Sequence, residues 1–428
     1  MIRALIITYY WPPAGGSGVQ RWLKFVKYLR NFDIEPIVYT VQNPDYVFTD
    51  PSLENDIPEN TLVIKQPIWE PYQLANIFSK KKKIESAGFI KSNQSLGDKI
   101  KSYVRANYFI PDARIFWIKP SVNFLSRYLS ENKVDVIIST GPPHSMHLIA
   151  HQLKNKFGLK WIADFRDPWT DIDYFHHLPL TKKSTAKHCA LEQMVLKNAD
   201  EVIVVGNSMK ENYLPFTKNI HVISNGFDNE TVSINNSLDF KFSITHVGLM
   251  NADRNHPFLW KVLADIASKN EDFKSDLVIK LIGKVDESVV QSINQFGLSN
   301  NLDLVPYLPH DEVIQLQLES QLLLLSINNV PAARGIITGK VFEYLQTQRP
   351  ILAIAPTNGD LAEILNETNA GTVIDFDDEK HLIETINQYY SLYKQGILEV
   401  KSQNFQQYHR KNLTQDLSNL IKKCVYTK

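Results

Sequence analysis

The sequence predicts an α/β protein of two Rossmann-like parallel-sheet domains, and three observations carry that prediction. A strand, a glycine-rich loop, a helix and a second strand follow one another between Ala4 and Thr40. The same alternation of apolar runs and amphipathic stretches restarts beyond Leu238. At 428 residues the chain is too long for one ordinary core.

Taken in order, the first strand is Ala4 to Thr8. In the helix after it Val19, Trp22, Leu23, Val26 and Leu29 recur at helical spacing and give one buried face. The second strand, Pro36 to Thr40, closes a βαβ unit, so the sheet is parallel. Val134–Ser139, Trp161–Ala163 and Val202–Val205 continue it as strands covered on both faces. Ile220–Ile223 is a short strand, Ser224-Asn225-Gly226-Phe227-Asp228 a turn, and polar sequence then runs to Leu238. The domain boundary is expected here, giving a first domain of 1–232 and a second of 233–402. In the second, strands are expected at Ser243–Val247, Leu277–Ile282, Leu302–Val305, Leu322–Ser326, Ile351–Ile354 and Thr372–Ile374. Residues 403–428 should contain a last helix, Phe405 to Cys424, that packs back toward the first domain.

Hydrophobic residues make up 43% and charged residues 21%, the balance of a soluble globular protein. Cys189 and Cys424 lack metal-ligand spacing and read as reduced thiols. The opening apolar stretch is too short for a membrane span, and Tyr9-Tyr10-Trp11-Pro12-Pro13 is no signal-peptide cleavage site, so a cytoplasmic location is expected. Zero net charge argues against a general nucleic-acid binder. Charge is nonetheless uneven. Between Lys80 and Arg127 eleven Lys or Arg face only Glu85, Asp98 and Asp112, with Phe89, Tyr103, Tyr108, Phe109 and Trp117 interleaved. This basic insertion, about 68–127, is either a surface for anionic lipid or a lipid-linked substrate, or a solvated helical insertion.

Open parallel sheets bind ligands beyond the carboxyl ends of their strands, so the loops there matter most. The first runs Pro12-Pro13-Ala14-Gly15-Gly16-Ser17-Gly18 into a helix, where glycines let an anion approach the helix N-terminus; a turn serving only the fold is the alternative. It matches neither the dinucleotide fingerprint nor a Walker loop. The second, Ser139 to Ser145, carries His144, which either donates to a phosphate or sugar hydroxyl or caps its own helix. The third, Ala163 to Trp169, gathers Asp164, Arg166, Asp167 and Trp169; Arg166 can fork onto a phosphate while the carboxylates order it or hold sugar hydroxyls, unless the group is a structural network. The most informative stretch is Gly335-Ile336-Ile337-Thr338-Gly339-Lys340-Val341-Phe342-Glu343-Tyr344-Leu345. Thr338 and Gly339 stand at a helix start suited to a phosphate, and Lys340 adds a charge that opposes the helix dipole unless an anion neutralises it. Glu343, one turn on, can accept two vicinal hydroxyls. A surface capping motif with an exposed Lys–Glu pair is the alternative.

These residues resemble a GT-B retaining glycosyltransferase of the family 4 group, of the bacterial surface-polysaccharide type, over nearly the whole chain. Gly15–Gly18, Val222 to Asp228, Gly248, and Thr338 to Tyr344 followed by Pro350-Ile351-Leu352 carry the likeness in order. The resemblance implies two domains facing across a cleft: an acceptor-side first domain, a donor-binding second, and the active site between them. It implies that Glu343 binds the ribose of a nucleoside-diphosphate sugar, that Thr338, Gly339 and Lys340 lie near its diphosphate, and that Gly15, Gly16, Ser17, Gly18 and Gly248 line the donor site. Arg254 fits the cation that neutralises the leaving diphosphate, whereas Asn255 and His256 stand where a lysine would be sought. Gly335 occupies the position of a second Glu, eight before Glu343. Arg254, Lys340, Arg166 and Asp167 are the expected catalytic groups, and His144 and Asp164 the expected acceptor or sugar ligands.

The implied reaction is retaining sugar transfer to a glycan or lipid-linked acceptor, with no metal and no cofactor besides the co-substrate. Contact with the inner face of an anionic membrane through 80–127 is expected, and nucleic acid is not. Asp171-Ile172-Asp173 has the form used by metal-dependent transferases but not the surrounding sequence, and is read as chance. The alternatives are a sugar-nucleotide 2-epimerase and a non-catalytic GT-B paralogue acting as a binding or scaffold subunit.

Overall fold

The computed structural model describes residues 1–46, 48–69, 96–172, 175–228 and 237–427. Lys80–Lys83, Lys91 and Phe89 of the basic segment lie outside the described residues, as does Asp173. Two compact units form: one comprises Met1–Asn225 with Arg410–Lys428, the other Gly226–His409.

In the first unit the strands are β1 (Ile2–Ile7), β2 (Ile34–Val41), β3 (Leu62–Gln66), β4 (Val136–Gly141), β5 (Lys160–Phe165), β6 (Glu201–Val204) and β7 (Ile220–Val222). All pair parallel in the order β3-β2-β1-β4-β5-β6-β7. Successive side chains alternate between two cores: Leu5 and Ile7 pack with Tyr39 and Ile137, and Ala4 and Ile6 with Val38 and Ile138. That is why the strands read as unbroken apolar runs. The helices are α1 (Ser17–Leu29), α2 (Leu96–Tyr108), α3 (Ile115–Glu131), α4 (Ser145–Phe157), α5 (Lys182–Asn198) and α6 (Asn207–Tyr213). The expected stripe Val19, Trp22, Leu23, Val26 and Leu29 is buried in one piece. The sequence reading had no counterpart for β3, a half-exposed edge strand that offers little apolar signal.

The second unit holds β8 (Phe242–Val247), β9 (Leu277–Ile282), β10 (Leu302–Val305), β11 (Leu322–Ser326), β12 (Ile351–Ile354) and β13 (Gly371–Ile374), parallel in the order β10-β9-β8-β11-β12-β13. Its helices are α7 (Pro257–Lys269), α8 (Glu271–Asp276), α9 (Glu287–Gln295), α10 (His310–Glu319), α11 (Lys340–Thr347), α12 (Asp360–Thr368) and α13 (Glu379–Lys394).

The single helix expected over 405–424 is instead two elements serving two cores. Phe405–Tyr408 is one 3-10 turn packed in the second unit, where Tyr408 lies against Phe342 and donates to Glu367. The final helix α14 (Arg410–Tyr426) starts afresh and sends Leu413, Leu417, Leu420 and Ile421 into the core beside α1.

Strand order reverses once in each sheet, between β1 and β4 and between β8 and β11. Connections on either side of such a point leave in opposite directions and open a crevice at the strand carboxyl ends. Both groups of candidate residues stand there.

Candidate functional site

In the second unit, the loop leaving β8 begins at Gly248, whose φ of 90° suits only glycine. A side chain there would also lie 2.9 Å from Lys340 Cε. Gly283 lets the neighbouring loop close on the same backbone, since a Cβ on it would stand 3.0 Å from the Gly248 carbonyl oxygen. Tyr344 ties α11 to this corner: its hydroxyl accepts from the Val247 N–H at 3.1 Å.

The loop carbonyl of Leu249 collects two cations, Arg254 Nη1 at 2.9 Å and Lys340 Nζ at 3.4 Å. Arg254 Nε also donates across the switch point to Asn328 Oδ1 at 2.9 Å, and Ser326 Oγ holds the Arg254 carbonyl at 2.7 Å. His246, fully buried in β8, completes the group. Its Nδ1 lies 3.1 Å from the Leu324 carbonyl and its Nε2 3.4 Å from the Leu249 carbonyl; the Lys340 ammonium beside Nε2 can only donate, which leaves the hydrogen on Nδ1. The Nε2 lone pair then faces Lys340 Nζ at 3.2 Å. Burial, with Lys340 and Arg254 adding, holds this imidazole well below its usual pKa, so it stays neutral.

Lys340 is the anomaly. Burial and the Arg254 guanidinium push its ammonium down to about 7, against an opposing pull from Glu343. It forms no ion pair among the described residues, and it opens α11, where the helix dipole further disfavours a cation. Thr338 Oγ1 caps the helix by accepting the Lys340 N–H at 3.2 Å. Gly339 is the exposed N-cap residue, with open space where a side chain would be. Glu343 is half-buried and makes no hydrogen bond or ion pair among the described residues, so the Lys–Glu pair of the alternative reading is not formed. The arrangement offers two cations, a helix N-terminus and a carboxylate without a partner within one small region. It is equipped to hold an anion next to a pair of hydroxyls.

His256, weighed as a substitute for the absent lysine, is otherwise engaged. It is buried, hydrogen-bonded to the Ile327 carbonyl at 3.0 Å, stacked on Phe376, and pushed down by burial to about 4. Asn255 is spent on Ser288, Ser292 and Trp260. Gly335 lies in a 3-10 turn, Ala333–Gly335, and has no side chain with which to replace the expected carboxylate.

In the first unit, Gly15 donates to the Phe48 carbonyl at 2.9 Å, pinning its loop to the Phe48–Asp50 segment. Gly16 has φ 86° and turns the chain into α1. Ser17 opens α1, and its side chain lies outside the described atoms. Arg166 reaches across the switch point and donates to the carbonyls of Gly18 and Pro142, one in each flanking loop. It is buried, with its guanidinium over Tyr10 and Asp167 exposed close by. The structure therefore makes Arg166 first a clamp between the two loops.

Asp164 requires a correction. It was expected to hold sugar or acceptor groups, but it is fully buried and engaged within the protein. Arg21 Nη2 donates to it at 2.9 Å, Trp22 Nε1 at 2.7 Å and Thr140 Oγ1 at 2.9 Å. Burial alone would raise its carboxyl, but Arg21, Trp22 and Thr140 hold it below the usual range. Arg21 in turn donates to the carbonyls of Ile223 and Ser224 at 2.8 Å each. Sequence reasoning missed Arg21, because a lone arginine in an amphipathic helix reads as a solvated charge.

His144 stands at the N-cap of α4 but makes no cap bond with its side chain. Asp112 does that work by accepting from the Ser145 N–H at 2.8 Å and the Ser145 hydroxyl at 2.9 Å. The His144 ring lies flat on Trp169, 4.3 Å between centroids and 2° from parallel. Trp169 is fixed by His188 and by Glu192, which also binds Thr170 and Tyr213. Neither His188 nor Glu192 carried a sequence signal.

Among the described residues no three His, Cys, Asp or Glu side chains are disposed to hold a metal ion, and no helix is long and apolar enough to cross a membrane.

Comparison with known proteins agrees with this architecture. Residues 91–231 match the family described as Glycosyltransferase Family 4, and residues 229–411 match Glycosyl transferases group 1. No curated protein matches the chain in sequence. Among solved structures, a sucrose-phosphate synthase from Thermosynechococcus elongatus superposes with a TM-score of 0.60 at 13% identity, covering 99% of each chain. The lipopolysaccharide outer core galactosyltransferase WaaB gives 0.59 at 12% identity, again with 99% of each chain covered. A mutant of TarM from S. aureus in complex with Fondaparinux, α-GlcNAc-glycerol and UDP gives 0.57 at 14% identity over 100% of each chain. Two glycosyltransferase family matches in succession, on two parallel-sheet Rossmann-like units, support a glycosyltransferase of the GT-B type.

Proposed function

We propose that the chain moves a sugar from a nucleoside diphosphate to a glycan or lipid-linked acceptor with retention of configuration, and that the second unit binds the donor. One observation carries this reading: Lys340 is desolvated beside Arg254 and forms no ion pair among the described residues, while Glu343, close enough to favour its charge, makes no hydrogen bond or ion pair there either. An anion bound at the start of α11 relieves the first condition, and two vicinal ribose hydroxyls satisfy the second.

Breaking the bond between sugar and diphosphate builds negative charge on the departing phosphate oxygens. Groups already oriented toward that charge lower the barrier without reorganising during the reaction. Arg254, Lys340 and the N–H groups of Thr338 and Gly339 have that role here. His246 and the Leu249 carbonyl keep the Lys340 ammonium aimed. The scheme relies on the chain's own cations and requires no metal. Arg166 holds the Gly15–Gly18 loop in place, and Asp167 and His144 are assigned to polar groups of the substrates.

The reading extends to an anionic lipid surface. On α2, Ile100, Val104 and Tyr108 recur every four residues and stand exposed, alternating with Lys99, Lys101 and Arg105. Apolar residues flanked by cations suit the boundary of an anionic bilayer.

The test is a thermal-shift and turnover screen against uridine- and guanosine-diphosphate sugars, with Glu343→Ala in parallel. Stabilisation by one nucleotide, with slow release of its diphosphate that the variant loses, supports the transferase reading. Binding without release in the presence of glycan acceptors favours the non-catalytic alternative. Absence of binding to any nucleotide removes the donor-site assignment.

A further inference from the structure

A chain of hydrogen bonds runs beneath the first unit's strand ends, and its start is fixed by chemistry. The Trp161 indole N–H can only donate, and it donates to Ser139 Oγ at 2.8 Å. Ser139 Oγ also lies 2.8 Å from His147 Nδ1. The serine hydrogen, having no other acceptor among the described residues, goes to that nitrogen. His147 therefore accepts at Nδ1 and carries its hydrogen on Nε2. This Nε2–H is buried and has no partner among the described residues. His144 Nδ1 is likewise buried and without a partner, and of the two His144 ring nitrogens only Nε2 escapes being sealed inside.

The two orphaned nitrogens converge. A Cβ placed on Gly141 would lie 2.6 Å from His147 Nε2 and 2.9 Å from His144 Nδ1, so both crowd the same glycine. The rings face one another with centroids 5.8 Å apart. Both ring planes are held, His144 by stacking on Trp169 and His147 by Phe165 at 4.6 Å, and Ser139 fixes which nitrogen of His147 faces the sheet. Leaving two buried polar nitrogens unsatisfied is costly, and one water between them answers both.

We propose that His147 and His144 hold one buried water over Gly141, which accepts from His147 Nε2–H and donates to His144 Nδ1. His147 is then a positioning residue. It fixes His144 in the tautomer that carries its hydrogen on Nε2, the ring nitrogen turned away from His147. His144 meets a substrate as a hydrogen-bond donor toward a hydroxyl or phosphate oxygen, not as a base. Burial is consistent with this, since it pushes His147 down to about 3 and His144 well below its usual value, so neither carries charge at neutral pH. The other charged groups about the pair agree: Arg166 and His188 oppose a charge on His144, and Arg166 opposes one on His147 while buried Asp164 favours it.

The inference deepens the proposed role of His144, but its test is independent of turnover. The full chain labelled with nitrogen-15 at histidine is examined by long-range proton–nitrogen correlation, with His144 and His147 assigned by single substitutions. Both should show a protonated Nε2 and an acceptor-type Nδ1, unchanged between pH 6 and 8. His147→Gln, which keeps a donor near the Nε2 position, should preserve the His144 pattern; His147→Leu should mix its tautomers while thermal melting shows both variants folded. A protonated Nδ1 on His144 in the unaltered protein, or an unchanged His144 in folded His147→Leu, overturns the proposal. Should His147→Leu fail to fold, Ser139→Ala provides the same test by removing the hydrogen that fixes His147. Loss of the donor-site reading alone leaves these signals where they are.

Discussion

Nucleotide binding should weaken as the pH rises above 7, and the cause is one lysine. In the unliganded protein Lys340 titrates near 7, pushed down from 10.5 by burial and Arg254. Above that pH the folded chain has shed a proton that the unfolded chain keeps up to about 10.5. Stability should therefore rise with pH across that window as far as this group is concerned. A diphosphate bound beside Nζ favours the ammonium and restores the proton, so binding takes one up. The diphosphate is already ionised there, since the second ionisation of a phosphate lies near about 6. The affinity should fall by up to roughly tenfold for each pH unit above 7, about 1.4 kcal/mol per unit. Titration calorimetry with UDP and with GDP, in two buffers of different ionisation enthalpy, counts the proton directly. Lys340→Met should bind more weakly at pH 7 and show no uptake; Lys340→Arg should keep the charge and show a flat profile. A flat profile from pH 7 to 9 in the unaltered protein, with no proton taken up, would refute the claim that a desolvated Lys340 meets the phosphates.

Three further outcomes follow from particular contacts. Gly248→Ala places a side chain at φ 90° and against Lys340 Cε, so melting should reveal a loss of at least about 1–2 kcal/mol and calorimetry a weakened nucleotide site. Asp164→Ala leaves the Arg21 charge buried without its counter-ion and should cost about 3–5 kcal/mol by denaturant unfolding; replacing both Arg21 and Asp164 with apolar residues should cost less, and equal costs would argue against the buried pair. Ile100→Glu with Tyr108→Glu should abolish co-sedimentation with anionic vesicles while leaving nucleotide binding intact, and undiminished co-sedimentation would exclude α2 as the contact.

Much of the fold was legible because its determinants are local and periodic. Thirteen strands form among the described residues, and all but β3 were anticipated, since each central strand is buried on both faces and reads as an apolar run. β3 escaped as a half-exposed edge strand with only the short run Leu62-Val63-Ile64 to show, whereas the edge strands β7, β10 and β13 were anticipated. The final helix was misread for a related reason: Phe405 and Tyr408 share its apolar pattern but belong to a different core, and periodicity does not say which core a residue enters. The candidate residues divide along the same line. Thr338, Gly339, Lys340 and Glu343 are close in sequence, so their spacing alone placed them on one helix start. Arg21 with Asp164 and His246 with Lys340 each join elements far apart in the chain, and no local pattern announces them.

The lysine sought in the first loop of the second unit also becomes intelligible in these terms. Asn255 and His256, which occupy that stretch, are consumed by packing α7 and the loop after β11, so neither can turn toward an anion. The charge beside Arg254 comes instead from the opposite side of the switch point, from the first residue of α11. That location is unfavourable for a cation by every local rule: it opposes the helix dipole, lies against a second cation and is shielded from water. The protein adds to the cost by reserving left-handed glycine at 248 to admit the side chain and a buried neutral histidine to receive it. A site in which helix dipole, charge and solvation all disfavour the same residue is stable only as a compromise with something the folded chain alone does not contain. An anion supplies what all three lack at once. The local disagreement at Lys340, more than any match of motif, is therefore what supports the phosphate site proposed at the start of α11.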